Sequence, residues 1–235
     1  MKALILMTRI PIPGKTKTRL MKILSANECA EIHKAFLLDI FNVYEHIKED
    51  VDIYLTYTPG DCFDLMKDII PSYIDCFPQI GEDLGERMLN SMANIFSKEY
   101  SKVVLMGCDI PQIQPKHIVE AFNLLESNEV CLCPTFDGGY YLVGMSELYP
   151  QIFSNNLKWG NKSVLEGTLD ICNRLGINVA LGHKCRDIDT KEDFMYLTEE
   201  IKKGEFERSI ECLNTKKFTE NYWRKDKSAK SYIGK

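Results

Sequence analysis

The feature that most constrains this chain is the steady alternation of short apolar runs with longer segments whose apolar residues recur at helical spacing. Residues 2–8 read as a buried strand, and the Ser25-Ala26-Asn27-Glu28 capping box opens a helix that runs to about residue 48. Residues 51–58 form a second strand-like run, 61–70 a helix and 73–77 a short strand. Residues 84–98 carry Leu84, Met88, Met92, Ile95 and Phe96 on one helical face, and 102–107 is again an apolar strand. The pattern continues with a helix at 115–126, strands at 130–134 and 140–144, a helix at 161–175, a strand at 177–181 and a helical pattern at 191–203. Such alternation predicts an α/β fold: a mixed, mostly parallel sheet with helices on both faces.

A chain of 235 residues that is 45% apolar can bury the core of one large α/β domain. That domain is expected to span residues 1–203. From Gly204 onward the periodicity decays, and the segment 204–235 is expected to be a polar, basic, partly ordered C-terminal extension. No signal-peptide core and no run of eighteen apolar residues is present, so a soluble, cytoplasmic protein with no membrane span is expected. The nine cysteines are scattered without a C-x-x-C pair, which favours reduced core thiols over a zinc site. The net charge of −5 argues against non-specific binding to nucleic acid.

In open α/β sheets ligands sit beyond the carboxyl ends of the strands, so the loops that follow strands carry the functional argument. The first of them, residues 9–20, places Arg9, Lys15, Lys17 and Arg19 between a strand and a helix. Four cations so close repel unless an anion is shared, so the loop reads as a phosphate site rather than a solvated basic loop. Its Gly14-Lys15-Thr16 is not a P-loop, because Arg9 stands where the first glycine is required. Gly107-Cys108-Asp109-Ile110-Pro111 ends an apolar strand and delivers a carboxylate, with Pro111 stopping the ladder; Asp109 is therefore either a ligand or a turn cap. Asp187 and Asp189, spaced i and i+2, would face one side in extended chain and offer oxygens to Mg²⁺ or Mn²⁺, although Asp189 or Thr190 could equally be an N-cap. Asp137-Gly138-Gly139-Tyr140 is first a turn signal, and second a place where backbone can approach a sugar or acceptor. Gln79 and the glycine-rich start of the next helix add Gly85 and Arg87, the latter either a phosphate ligand or a solvated first-turn charge.

Taken in order, these segments resemble a bacterial family of glycosyltransferase-A-like (GT-A-like) proteins known as arsenosugar-biosynthesis or selenodomain-associated glycosyltransferases. The resemblance runs over about residues 1–203. It is carried by residues 11–20, by Gln79 with Gly81 to Met88, by Gly107 to Pro111, by Asp137 to Gly144, by Trp159 and by Asp187 to Thr190. At a lower level the chain is similar to the guanylyltransferases of molybdenum-cofactor and 2-phospholactate metabolism. The resemblance implies a GT-A-like nucleotide-diphospho-sugar transferase sandwich. It implies Asp109 as the metal aspartate with Asp187 or Asp189 as partner, and residues 13–20 against the nucleotide phosphates. Cys108, often serine, and Gly160-Asn161, often Ser-Thr, depart from the family pattern and touch acceptor choice more than metal binding.

The expected site therefore comprises Arg9, Gly14, Lys15, Lys17, Thr18, Arg19, Gln79, Gly85 and Arg87 for nucleotide and phosphate. Gly138, Gly139, Tyr140 and Trp159 are expected at the sugar or acceptor, and Asp109 and Asp137 in catalysis. The expected reaction is metal-dependent glycosyl transfer from a nucleotide-diphosphate sugar to a small acceptor. Its alternatives are nucleotidyl transfer with release of pyrophosphate, and nucleotide binding without turnover.

Overall fold

The computed structural model describes residues 1–153, 157, 159, 163–204 and 210–233, with side chains as far as Arg224. Among the described residues seven strands form one sheet: β1 (Lys2–Arg9), β2 (Asp52–Thr58), β3 (Asp75–Pro78), β4 (Lys102–Gly107), β5 (Val130–Pro134), β6 (Tyr140–Met145) and β7 (Val179–Leu181). Their spatial order is β3-β2-β1-β4-β6-β5-β7. All pairings are parallel except those of β6, which runs antiparallel to both β4 and β5. The mixed, mostly parallel α/β sheet expected from the sequence is the one observed.

Among the described residues the α-helices are α1 (Ala26–Tyr44), α2 (Leu84–Phe96), α3 (Pro115–Leu124) and α4 (Val164–Leu175), which flank the sheet, and α5 (Lys191–Lys203) and α6 (Leu213–Ile233), which pack beside α1. Strand β1 lies inside the sheet, between β2 and β4, where Ala3 to Leu6 are apolar on both faces and wholly buried. Leu4 and Leu6 face Leu37, Ile40 and Tyr44 of α1 and Phe122 of α3, whereas Ala3 and Ile5 face Met88, Met92 and Ile95 of α2. Truncating such a leucine to alanine costs about 2–5 kcal/mol. Local signals set the helix starts. Ser25 and Glu28 form the capping box at α1, Asp83 accepts from the Glu86 amide at α2, and Thr190 and Asp193 cap α5, each such cap being worth about 1 kcal/mol.

Five expectations shift. Residues 60–69 form two short 3-10 helices rather than one α-helix; Met66 is their sole buried apolar residue, too little to anchor an amphipathic face. α1 ends at Tyr44, with hydrogen-bonded turns continuing to Val51. β3 begins two residues late and β7 is shortened to three residues. α4 begins at Val164, and the expected start at Asn161 lies outside the described residues.

The C-terminal segment, expected as a partly ordered appendage, carries the 21-residue helix α6, which packs against α1. The buried Asp39 carboxylate of α1 accepts from the amide and side chain of Asn214 and from the amide of Thr215, at 2.8–3.0 Å. An acid placed on unsatisfied N–H groups at a helix start is a docking point. Phe194 of α5 closes against Phe218 and Tyr222 of α6. Among the described residues no helix is long and apolar enough to cross a membrane.

Candidate active site

The carboxyl ends of β1, β2, β4 and β5 and the amino end of antiparallel β6 meet at one edge of the sheet, so the loops that leave them surround one cleft of about 1080 Å³. That is at the upper end of volumes that hold small-molecule ligands. Of the expected residues, Arg9, Gly14, Lys15, Lys17, Thr18, Arg19, Gln79, Arg87, Asp109, Asp137, Gly139, Tyr140, Trp159, Asp187 and Asp189 line it. Gly85 and Gly138 do not.

At its centre lies Lys17, held at φ 51° as it leads into a short 3-10 helix. A non-glycine residue in the left-handed region costs about 1–2 kcal/mol, so its surroundings must hold it there. The Lys17 ammonium lies 2.6 Å from Asp109 Oδ1, 3.0 Å from Asp189 Oδ1 and 2.6 Å from the Ile188 carbonyl oxygen, which matches its three N–H donors with three acceptors. It also stands 5.4 Å from the centre of the Phe36 ring. Burial opposes the charge, but Asp109 and then Asp189 outweigh it and raise the Lys17 pKa above its usual value.

This corrects one expectation. Lys17 is not an open phosphate ligand; its anion is already present as Asp109 and Asp189. Arg19 contacts Asp189 at 3.6 Å from an exposed position, while Arg9 and Lys15 are exposed and make no ion pair among the described residues.

The carboxylates differ in environment. Burial would raise the Asp109 pKa, yet Lys17 and then His33 hold it below the usual range. Among the described residues no cation pairs with Asp187, and burial, then Asp137 and Asp189, push its pKa up to about 6. Burial likewise raises Asp189, partly offset by Lys17. Asp137 Oδ1 accepts from the Thr135 hydroxyl and from the Gly139 amide at 3.1 Å, so the turn expected at Asp137-Gly138 is built by this side chain. Gly138 has φ 94° and its carbonyl accepts from the Leu165 amide, a backbone role on the rear of the turn.

Gln79 and Arg87 reach the cleft while fastening its frame. The Gln79 amide donates to the carbonyls of Thr8 and Thr56, tying β1 to β2, and Arg87 Nε donates to the Gly81 carbonyl. The wall opposite Lys17 is aromatic. Tyr140 meets Trp159 edge-on, and Phe153 lies nearly parallel to Trp159, both with centroids 6.5 Å apart. Gly85, expected at the nucleotide, sits instead against the indole: a Cβ there would lie 2.4 Å from Trp159 Nε1. That Nε1 is buried without a hydrogen-bond acceptor in the described structure.

One functional neighbour was not singled out from the sequence. His33 of α1 is buried on the helix face that carries Cys29, Ile32 and Phe36, and its Nδ1 lies 3.9 Å from Asp109 Oδ1. Burial first, and then Lys17 against the pull of Asp109, lowers its pKa to about 4, so the ring is neutral near pH 7. A polar residue on an apolar helix stripe was the available signal. Cys108 is the next neighbour; burial and the Asp109 charge raise its thiol pKa well above the usual value.

With this geometry in place, comparison with known proteins gives a frame. Residues 45–161 match the model of a family described as uncharacterized protein conserved in bacteria (DUF2064). A search of curated protein sequences finds no match. Among solved structures, a candidate nucleotide-diphospho-sugar transferase from Desulfovibrio desulfuricans G20 superposes with a TM-score of 0.84 at 29% identity, over 96% of this chain and 98% of that one. A cytidylyltransferase from Leptospira borgpetersenii gives a TM-score of 0.56 at 17% identity over 97% and 96% of the two chains. The Mycobacterium tuberculosis H37Rv protein Rv0371c, in complex with manganese, gives 0.51 at 17% identity over 85% and 99%. The fold is that of a nucleotide-diphospho-sugar transferase. The matched segment 45–161 includes Gln79, Arg87, Asp109, Asp137 and Trp159, while Lys17, Asp187 and Asp189 reach the cleft from outside it.

Proposed function

We propose that this chain is a divalent-cation-dependent transferase that takes a sugar from a nucleotide-diphosphate sugar and passes it to a small acceptor. The observation that carries the reading is the shared cation position at the cleft centre. Asp109 Oδ1, Asp189 Oδ1 and the Ile188 carbonyl already surround one positive charge, that of Lys17. Three oxygens of this kind suit Mg²⁺ or Mn²⁺ as well as an ammonium, so the donor set fits the ion expected from the sequence. When bound, such an ion supplies charge to the departing diphosphate.

The chain's own groups do the rest. Arg9, Lys15 and Arg19, exposed on the same loop, hold the phosphates, and Arg87 approaches them from the start of α2. Lys17 neutralises Asp109 and Asp189 and would keep both carboxylates in place beside a bound ion. Tyr140 and Trp159 shape the opposite wall, where the sugar and acceptor lie, with Asp137 at the rim. Aromatic faces pack the apolar side of a sugar ring while excluding water. The narrower kinship with the arsenosugar and selenodomain glycosyltransferases rests on the sequence motifs.

Nucleotidyl transfer is the second reading. Since Lys17 is neutralised within the protein, Arg9, Lys15, Arg19 and Arg87 remain for phosphate, a number that suits a triphosphate, and the cytidylyltransferase neighbour shares the fold. Release of nucleoside diphosphate or of pyrophosphate, scored over sugar nucleotides and nucleoside triphosphates with Mg²⁺ or Mn²⁺, separates the two. Nucleoside diphosphate release is expected. Pyrophosphate release would install the second reading, and binding of both substrate classes without turnover would reduce the protein to a nucleotide-binding module.

A further inference from the structure

We infer that His33 is a nitrogen ligand of the divalent cation at Asp109, making the site a mixed nitrogen–oxygen centre rather than an all-oxygen one. The inference rests on the cation-dependent reading of the cleft and adds a residue that no strand-end loop supplies.

The ring tautomer is fixed by its surroundings. His33 Nε2 lies 3.0 Å from the Arg9 carbonyl oxygen, which can only accept, so Nε2 carries the proton. The Thr8 hydroxyl spends its own hydrogen on the same carbonyl and leaves its lone pairs to Nε2, also at 3.0 Å. Nδ1 of the neutral ring is then a bare lone pair. It is buried, has no hydrogen-bond donor among the described residues, belongs to a side chain that borders the cleft and lies 3.9 Å from Asp109 Oδ1. Two acceptors face each other there with no proton between them.

A cation resolves that arrangement. Metal–nitrogen and metal–carboxylate bonds are each about 2.1 Å, so one ion spans up to about 4.2 Å and reaches both atoms. Metal-bound histidines characteristically donate the other ring N–H to a carbonyl or carboxylate, which orients the ring, and the Arg9 carbonyl fills that role. Cys108 Sγ lies 3.9 Å from Nε2, on the protonated nitrogen, and donates toward Asp109, so the thiol is a neighbour and not a ligand. A nitrogen ligand shifts preference from Mg²⁺ toward Mn²⁺ and later divalent ions.

Pulsed electron paramagnetic resonance of the full chain with Mn²⁺ alone tests this directly. The expected spectrum shows imidazole-nitrogen coupling on the bound ion. His33→Leu should abolish the coupling, retain Mn²⁺ at affinity weakened about 10-fold or more, and reduce the preference for Mn²⁺ over Mg²⁺. Asp109→Asn should remove the ion. Bound Mn²⁺ without nitrogen coupling, or coupling that survives His33→Leu, overturns the role of His33 and leaves the cation at Asp109 standing. Mn²⁺ binding indifferent to Asp109→Asn overturns the reading beneath it. Should His33→Leu fail to fold, wild-type protein labelled with ¹⁵N-histidine and loaded with ¹¹³Cd²⁺ gives the same answer. Splitting of Nδ1 in the ring whose Nε2 proton is shielded from solvent is expected, and its absence overturns the inference.

Discussion

On one wall of the cleft the central charges are already matched: Lys17 meets Asp109, Asp189 and the Ile188 carbonyl, and His33 is held by Thr8 and Arg9. On the other wall, Tyr140, Phe153 and Trp159 pack edge and face around Gly85, and the Trp159 Nε1 has no acceptor among the described residues. The first wall is preorganised electrostatics, in which fixed dipoles and charges await a polyphosphate and its cation. The second is shape and apolar surface, which selects a ring and excludes water. Damage to the first should therefore fall on turnover and charge balance, and damage to the second on acceptor affinity.

The largest effect that separates the walls is expected from Lys17→Met. Loss of the ammonium leaves Asp109 and Asp189 facing each other. Turnover should drop by about 10²–10³-fold, as for loss of a preorganised electrostatic group. Metal-free stability should fall by about 1–3 kcal/mol, less than for a fully buried pair because both carboxylates are about a third exposed. Steady-state kinetics and urea denaturation measure the two. Wild-type turnover in the variant would break the contrast.

Trp159→Ala comes next. The acceptor KM should rise about 10-fold, in keeping with about 1–1.5 kcal/mol for an aromatic contact, while the affinity for nucleoside triphosphate in the presence of Mn²⁺ stays within two-fold, roughly. An equal loss in both would show that the walls do not divide the substrate.

The smallest effect concerns pH. Asp187 is raised to about 6 by burial and by Asp137 and Asp189, with Asp193 adding to the same negative field. Its folded pKa exceeds its unfolded one, so the folded state binds the extra proton. Metal-free stability should decline as pH rises from about 4 through 6 and level off above. Asp187→Asn should flatten that slope in denaturation curves taken at several pH values; an unchanged slope would place its origin elsewhere.

The two walls were also unequally visible in the sequence. Most of the strands, the capping box at Ser25 and the Asp137-Gly138 turn are local patterns that appear where the sequence puts them, and of the two N-caps left open at Asp189 and Thr190 the structure uses Thr190. The convergence of residues 9–19, Asp109, Asp187 and Asp189 followed from strand-end loops in a parallel sheet. The state of Lys17 was not legible, because its partners Asp109, Ile188 and Asp189 all lie far along the chain and decide burial against exposure. His33 was hidden because its neighbours at helical spacing are apolar and it reads as core. Gly85 looked like part of a ligand loop, yet its missing Cβ makes room for an indole more than seventy positions away. The docking of α6 depends on Asp39, a contact that periodicity within residues 204–235 cannot reveal.

Calorimetric titration of CTP into the wild-type protein and into Asp109→Asn, each with and without Mn²⁺, bears most directly on the shared cation position. Wild-type protein should bind the triphosphate at least about 10-fold more tightly with Mn²⁺ than without, and the variant, folded as judged by circular dichroism, should lose that difference. Equal enhancement by Mn²⁺ in both proteins would contradict a cation held at Asp109 and, with it, the division of labour between the walls.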